Sequence, residues 1–246
     1  PEVLEHLKQA AAEVIVVVGY GQIIPRTILD LPKLGCINVH ASLLPKYRGA
    51  APIQWAIANG ETFTGVTTMH IEEQLDAGDM LMRQEVQIGP KETTPELTER
   101  LAPIGAALLI KTLRRLAANQ IVPVKQKEQE ATFAPLLTRK NGWIDWTWPA
   151  VQITNRIRGF DPWPGGYTSF RGKWLHIRKA RVGGTVSTLK PGQISLTASQ
   201  LHTGCSKGTS LLIEEVQLEG KKCITASDFV RGYQPKQEER LGEIEL

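Results

Sequence analysis

The sequence predicts an α/β chain in two parts, an open parallel-sheet layer followed by a small antiparallel barrel of OB-like shape. Three observations carry this. Glu13 to Val18 is a continuous β-branched run closed by Gly19-Tyr-Gly21, which reads as a strand buried on both faces of a parallel sheet. Strand-like and helix-like segments then alternate as far as a long amphipathic helix beginning near Thr93. Past residue 135 the texture changes to short strand-like runs broken by Gly172, Gly183-Gly184, Pro191-Gly192, Gly204 and Gly220.

In order along the chain, Pro25 to Leu31 reads as a short helix and Cys36 to His40 as a second strand. Gly49-Ala-Ala-Pro52 opens a helix that stops at Asn59-Gly60, with proline in its first turn and glycine past its end. Gly65 to Ile71 and Met80 to Val86 are further strands, with the loop Leu75-Asp-Ala-Gly-Asp79 between them. Thr93-Thr-Pro-Glu96 has capping-box spacing, and Leu97, Leu101, Ile104 and Leu108 follow at helical spacing. The domain expectation is therefore 1–118 for the sheet domain, a polar and charged linker at 119–135, and 136–246 for the barrel. Its strands are expected at Tyr167 to Phe170, Trp174 to Arg181, Gln193 to Thr197, Ser210 to Glu214 and Glu215 to Leu218.

Composition bounds the function classes. The chain has 246 residues, no apolar run of membrane-spanning length, and a first segment, Pro1-Glu-Val-Leu-Glu-His6, unlike a secretory signal; a cytoplasmic protein without membrane association is expected. Its three cysteines lie far apart without a Cys-x-x-Cys, which speaks against a disulfide framework or a zinc site. Residues 1–130 carry 13 Lys and Arg against 15 Asp and Glu, whereas residues 131–246 carry 16 against 10. A basic, tryptophan-bearing second half suggests a polyanion partner there, although a well-solvated surface has the same composition.

The chemistry concentrates where the second strand ends. Residues i and i+2 of a strand share a face, so Asn38 and His40 point the same way, at the end of a strand where parallel sheets bind ligands. An amide donates to a developing oxyanion and an imidazole moves a proton; Asp76, in the glycine-containing loop, is placed to approach His40 as a countercharge. Asn-x-His alone is a weak motif, since a strand-end histidine is more often a satisfied polar residue. Asp76 and Asp79 lack the ligand series of a calcium loop, so no metal is expected. His6, His70, His176 and His202 have no comparable setting and read as structural.

An ordered series of motifs adds a resemblance. Asn38-Val-His40, then Ser42-Leu-Leu-Pro45-Lys-Tyr-Arg-Gly-Ala-Ala-Pro-Ile-Gln54, then Leu75-Asp-Ala-Gly-Asp-Met80 is similar to the signature of the folate-dependent formyltransferase family. Ile144-Asp-Trp146 and Arg158-Gly-Phe-Asp-Pro-Trp-Pro164 resemble the start of a C-terminal, tRNA-engaging domain in that family. The resemblance implies a partial Rossmann-like catalytic domain and formyl transfer from 10-formyltetrahydrofolate to the amino group of initiator methionyl-tRNA, by a monomer. It places Asn38, His40 and Asp76 as the catalytic trio. Ser42, Leu43, Leu44 and Pro45 match its folate-contacting segment, and Gln22, Ile23 and Ile24 sit where relatives contact the pteridine. The basic side chains Arg139, Lys140, Arg156, Arg158, Arg171 and Lys173 are the expected RNA contacts.

The family ordinarily begins with a further strand-helix-strand portion, including a glycine-rich first loop and an insertion that helps grip the tRNA acceptor stem, and this chain starts at Pro1 without it. A fragment is therefore expected, in which Val14 to Val18 pairs on one side only. Three rival readings share these motifs: a formyltransferase with a nucleotide-sugar or ribonucleotide acceptor, a formyl-folate hydrolase, and an inert RNA-binding relative.

Overall fold

The computed structural model describes residues 2–184, 188–197, 200–237 and 239–243. It divides into two compact units, one made of residues 1–56, 62–90 and 96–136, the other of residues 57–61, 91–95 and 137–246. The first half of the chain runs α1 (Glu2–Ala10), β1 (Ile15–Val17), α2 (Arg26–Leu29), β2 (Cys36–His40), α3 (Pro52–Ala58), β3 (Phe63–His70), β4 (Met80–Gln87) and α4 (Thr94–Ala117).

The first sheet has the order β1-β2-β3-β4. β1 and β2 are parallel, with Val17 opposite Asn38, so the residues after β1 and after β2 leave the sheet at the same end. The sheet is mixed, not wholly parallel: β3 runs antiparallel to β2, with His40 opposite Thr67 and Ile37 opposite His70, and β4 antiparallel to β3. Short connections between β3 and β4 allow only that sense.

The expectation that Glu13 to Val18 is buried on both faces is corrected. The strand is three residues long, and Val16 and Val18 are 38% and 62% exposed. β1 is an end strand, paired only with β2 among the described residues, so nothing on its far edge helps bury it. Burial instead concentrates around β2 and β3, where Ile37, Val66 and Met69 are enclosed. α4 covers the face opposite Asn38 and His40: a Cβ at Gly105 would stand 3.3 Å from Val39 and 3.6 Å from Val66. Leu97, Leu101 and Leu108 supply its buried stripe.

The second unit contains α5 (Ala150–Gly159), β5 (Gly166–Phe170), β6 (Lys173–Val182), β7 (Ile194–Thr197), β8 (Gln200–Gly204), β9 (Ser210–Leu218), β10 (Ile224–Thr225) and α6 (Ala226–Tyr233). Its antiparallel sheet has the order β5-β6-β9-β8-β7, with β10 also on β9. The runs 210–214 and 215–218, expected as two strands, are one. On one side β9 follows β6, while on the other its first half pairs with β8 and its second half with β10. The chain's last described segment bridges the two end strands: Ile194 N–H donates to Glu239 O (2.7 Å), Leu241 N–H to Gly192 O (2.8 Å) and Gly242 N–H to Ser169 O (3.0 Å). Ile153, Leu175, Ile194, Leu201, Val216 and Phe229 form the core.

Candidate active site

β2 delivers the expected pair. Cys36 and Ile37 are buried, Asn38 is half-buried and His40 is 5% exposed, with Asn38 and His40 on the face away from α4. His40 Nε2 lies 2.8 Å from the Tyr47 carbonyl. A carbonyl only accepts, so Nε2 carries a proton and Nδ1 is the nitrogen left for chemistry. Nδ1 faces Asp76 Oδ2 at 3.6 Å, just beyond hydrogen-bond length, as is common before a substrate tightens a site.

Asp76 reaches His40 by an unexpected route. Because β3 is antiparallel to β2, its carboxyl end lies beside Ile37, at the far end of β2 from His40. The loop 71–79 therefore doubles back over the sheet face. Three hydrogen bonds hold it there: Gly49 N–H to Asp76 Oδ2 (2.8 Å), and the Gln126 side-chain amide to Asp76 O (2.7 Å) and Gly78 O (2.8 Å). Asp76 itself has φ +49°, a left-handed conformation that aspartate tolerates better than most residues. Gly49 has φ +120°, and a Cβ there would lie 2.7 Å from the Ala134 carbonyl, so glycine is needed both for the turn and for the close approach.

The segment read as a linker lies against these loops. Val124 forms a bridge with Met80, Tyr47 N–H donates to Thr132 Oγ1 (2.9 Å), and Arg48 N–H to Thr132 O (2.9 Å). Arg48, 1% exposed, donates from Nε to Gln126 Oε1 (2.9 Å) and in bidentate fashion to Glu128 (2.8 and 3.0 Å). Its guanidinium holds the Glu128 carboxyl below the usual carboxylate range. Sequence reasoning assigned no role to Arg48 or Gln126. Arg48 finds its partners 78 and 80 residues on, and Gln126 finds its carbonyl partners 50 and 48 residues back, so no local pattern points to the pairing.

Residues 42–45 form a tight turn over β3. Ser42 Oγ donates to Lys46 O (2.6 Å), while Thr67 Oγ1 donates to Ser42 O (2.7 Å) and accepts from Leu44 N–H (3.2 Å). Ser42, Leu44 and Pro45 are buried; Leu43 is half-buried and lies over Gly65, where a Cβ would meet it at 2.5 Å. Gln22 and Ile23 are exposed, Ile23 at 86%, and Ile24 is half-buried, in the loop that leaves β1 at the Asn38 end of the sheet.

The six basic candidates separate into three groups. Arg139, Lys140 and Lys173 are exposed, and Arg139 lies over the Trp174 ring at 4.8 Å. Arg156 stacks over Trp148 (4.5 Å) and Phe160 (5.1 Å), and Arg158 bonds Asn155 Oδ1 and Glu92 O; burial lowers the pKa of both guanidiniums. Arg171 is exposed but engaged by Glu239 (2.6 Å) and the Tyr233 carbonyl (3.0 Å). Among the described residues, no helix is long and apolar enough to cross a membrane.

Comparison with known proteins matches the sequence to a family. A family model described as formyl transferase matches residues 1–113, and one described as formyl transferase, C-terminal domain, matches residues 136–234. The chain is 53% identical over 246 residues to a methionyl-tRNA formyltransferase of Solibacter usitatus, covering 100% of this chain and 78% of that one. It is 45% identical over 244 residues to one of Geobacter sulfurreducens, covering 99% and 76%. Two solved structures share the fold. A sugar 3N-formyl transferase, WlaRD, has a TM-score of 0.67 at 19% identity, over 88% of this chain and 77% of that one. HypX from Aquifex aeolicus in complex with tetrahydrofolic acid has 0.63 at 17%, over 96% and 42%. The chain belongs to the methionyl-tRNA formyltransferase family.

Proposed function

We propose that this protein transfers the formyl group of 10-formyltetrahydrofolate to the α-amino group of initiator methionyl-tRNA in the cytoplasm, with Asn38, His40 and Asp76 as the catalytic residues. The observation that carries the reading is the joint placement of His40 Nδ1 against Asp76, with Nε2 fixed on the Tyr47 carbonyl and Asn38 on the same strand face.

The donor supplies a formyl carbon already activated on nitrogen. Exposed Ile23 and half-buried Leu43 offer apolar side chains to a planar ring, and the backbone of 22–24 and 42–45 offers polar groups to its edges. In the reaction a bond forms between the acceptor amine and the formyl carbon, and the bond from that carbon to the donor nitrogen breaks. One proton passes from the amine to that nitrogen. The Asn38 amide donates to the formyl oxygen as it gains charge, and the His40 imidazolium stabilises the same charge from Nδ1. Asp76, held by Gly49 N–H, keeps its carboxylate toward His40 and accepts the amine proton through water.

The second unit is proposed to engage tRNA through Arg139, Lys140 and Lys173 in particular. What supports this is the charge of residues 139–222, with 13 Lys and Arg against 5 Asp and Glu. An acceptor panel tests the function: the natural full-length protein is given 10-formyltetrahydrofolate with methionyl initiator tRNA, a nucleotide-linked amino sugar, or water alone. Formylated methionyl-tRNA as the dominant product is the expected result. Preferential formylation of the sugar, or hydrolysis alone, would replace this reading with one of its rivals.

A further inference from the structure

We infer that Gln126 is a positioning residue for catalysis: its side-chain amide clamps the Asp76 loop onto the loop that orients His40. This rests on the catalytic reading above. The two loops come from distant parts of the chain, Tyr47-Arg48-Gly49 after β2 and residues 71–79 after β3. Gln126 stands between them with each polar atom engaged. Nε2 donates to Asp76 O (2.7 Å) and Gly78 O (2.8 Å), and Oε1 accepts from Arg48 Nε (2.9 Å).

The arrangement admits one orientation of the amide. Carbonyls only accept and a guanidinium only donates, so turning the amide over would set oxygen against two carbonyls and nitrogen against Arg48. Arg48 is in turn fixed by its bidentate pair with Glu128 and by full burial. The backbone of the same Tyr47-Arg48-Gly49 stretch carries the Tyr47 carbonyl that accepts from His40 and the Gly49 N–H that donates to Asp76. The position of Asp76 relative to His40 is thus set by one chain of hydrogen bonds running from Glu128 through Arg48 and Gln126. The loop 71–79 is fastened at its ends by Ile71 N–H on Cys36 O (2.8 Å) and by Asp79 O under His70 N–H (2.9 Å), and between them Gln126 holds it at Asp76 and Gly78.

Glutamate at position 126 is the discriminating substitution. It preserves size and gives Arg48 a stronger acceptor, but it sets a second acceptor oxygen against the Asp76 and Gly78 carbonyls. A residue that merely fills space or partners Arg48 would tolerate it. The expected result in the natural full-length protein is a kcat lower by roughly 10- to 100-fold for Gln126→Glu and Gln126→Ala, the scale of a small misplacement of a catalytic group. KM for both substrates should stay within about two-fold, since uniform binding is untouched. Placed on Asp76→Ala, Gln126→Glu should cost almost nothing more, because residues acting as a unit are non-additive. Circular dichroism and a thermal melt identify a variant that has lost its fold, in which case Gln126→Ala carries the test. An active wild type with an unaffected Gln126→Glu variant, or full additivity with Asp76→Ala, overturns this inference alone. A wild type that forms no formylated product overturns the functional reading and this one with it.

Discussion

The role proposed for His40 follows from what each ring nitrogen meets. With Nε2–H committed to the Tyr47 carbonyl, the ring can neither flip nor rotate without stranding a buried donor, so Nδ1 stays aimed at Asp76. Removing the carboxylate charge while keeping its shape isolates the electrostatic part. Asp76→Asn is expected to lower turnover by roughly 10²-fold, and Asn38→Ala comparably, with tRNA affinity nearly unchanged in a binding assay. The thiols offer a separate check on burial. Desolvation pushes the Cys205 thiol up to about 12 and raises that of Cys36, whereas Cys223 is exposed. Only the thiolate is nucleophilic, so iodoacetamide at neutral pH should label Cys223 and leave Cys205 unmodified until the protein unfolds. Mass mapping of the alkylated peptides reads this directly; early labelling at Cys205 would contradict the packing described for the second unit.

At the scale of elements, two strands invite opposite experiments. β1 leaves one edge unpaired among the described residues, with Val16 and Val18 exposed and no charge from Val14 to Val18. Such an edge is a template for intermolecular pairing, so this chain should self-associate, and Val16→Lys should reduce that association in sedimentation measurements. The bridge over β7 and β5 is held by a buried anchor, Leu241, 3% exposed. Leu241→Ala should cost roughly 2–5 kcal/mol in denaturant unfolding, as for other buried leucines. What the sequence made legible follows the same division. The shared face of Asn38 and His40 is a consequence of strand period, and α4 announces itself through capping-box spacing at Thr93-Thr-Pro-Glu96 and a leucine stripe. β8 escaped notice because Gln200-Leu-His-Thr-Gly204 alternates weakly and ends on a glycine read as a break. α5 and α6 are short helices whose polar faces mask their periodicity. The clamp of Arg48 and Gln126 escaped for a different reason: its residues meet only after the chain has folded back, and a buried arginine is indistinguishable from a solvated one in a charge count.

Across the whole molecule, charge and the proposed chemistry are divided between the two halves of the chain, the proposed trio in the first and the excess of cations in the second. Exposure refines the second. Arg139, Lys140 and Lys173 are open to a phosphate backbone, while Arg156 and Arg158 are occupied within their own unit. Changing the first three to alanine together should weaken tRNA binding and make its dependence on log salt shallower by roughly 2–3, close to one for each phosphate no longer neutralised. Changing Arg156 should instead lower thermal stability, because the guanidinium would no longer pack on Trp148. The proposed catalytic trio calls for a test that holds tRNA binding constant. The direct measurement is the single-turnover rate of formyl transfer from 10-formyltetrahydrofolate to methionyl initiator tRNA by the natural full-length protein and its His40→Ala variant, at saturating tRNA. A loss of about 10²-fold or more in the variant, with tRNA still bound, is expected of a group that stabilises the charge developing on the formyl oxygen; transfer at the wild-type rate would contradict the assignment of this site.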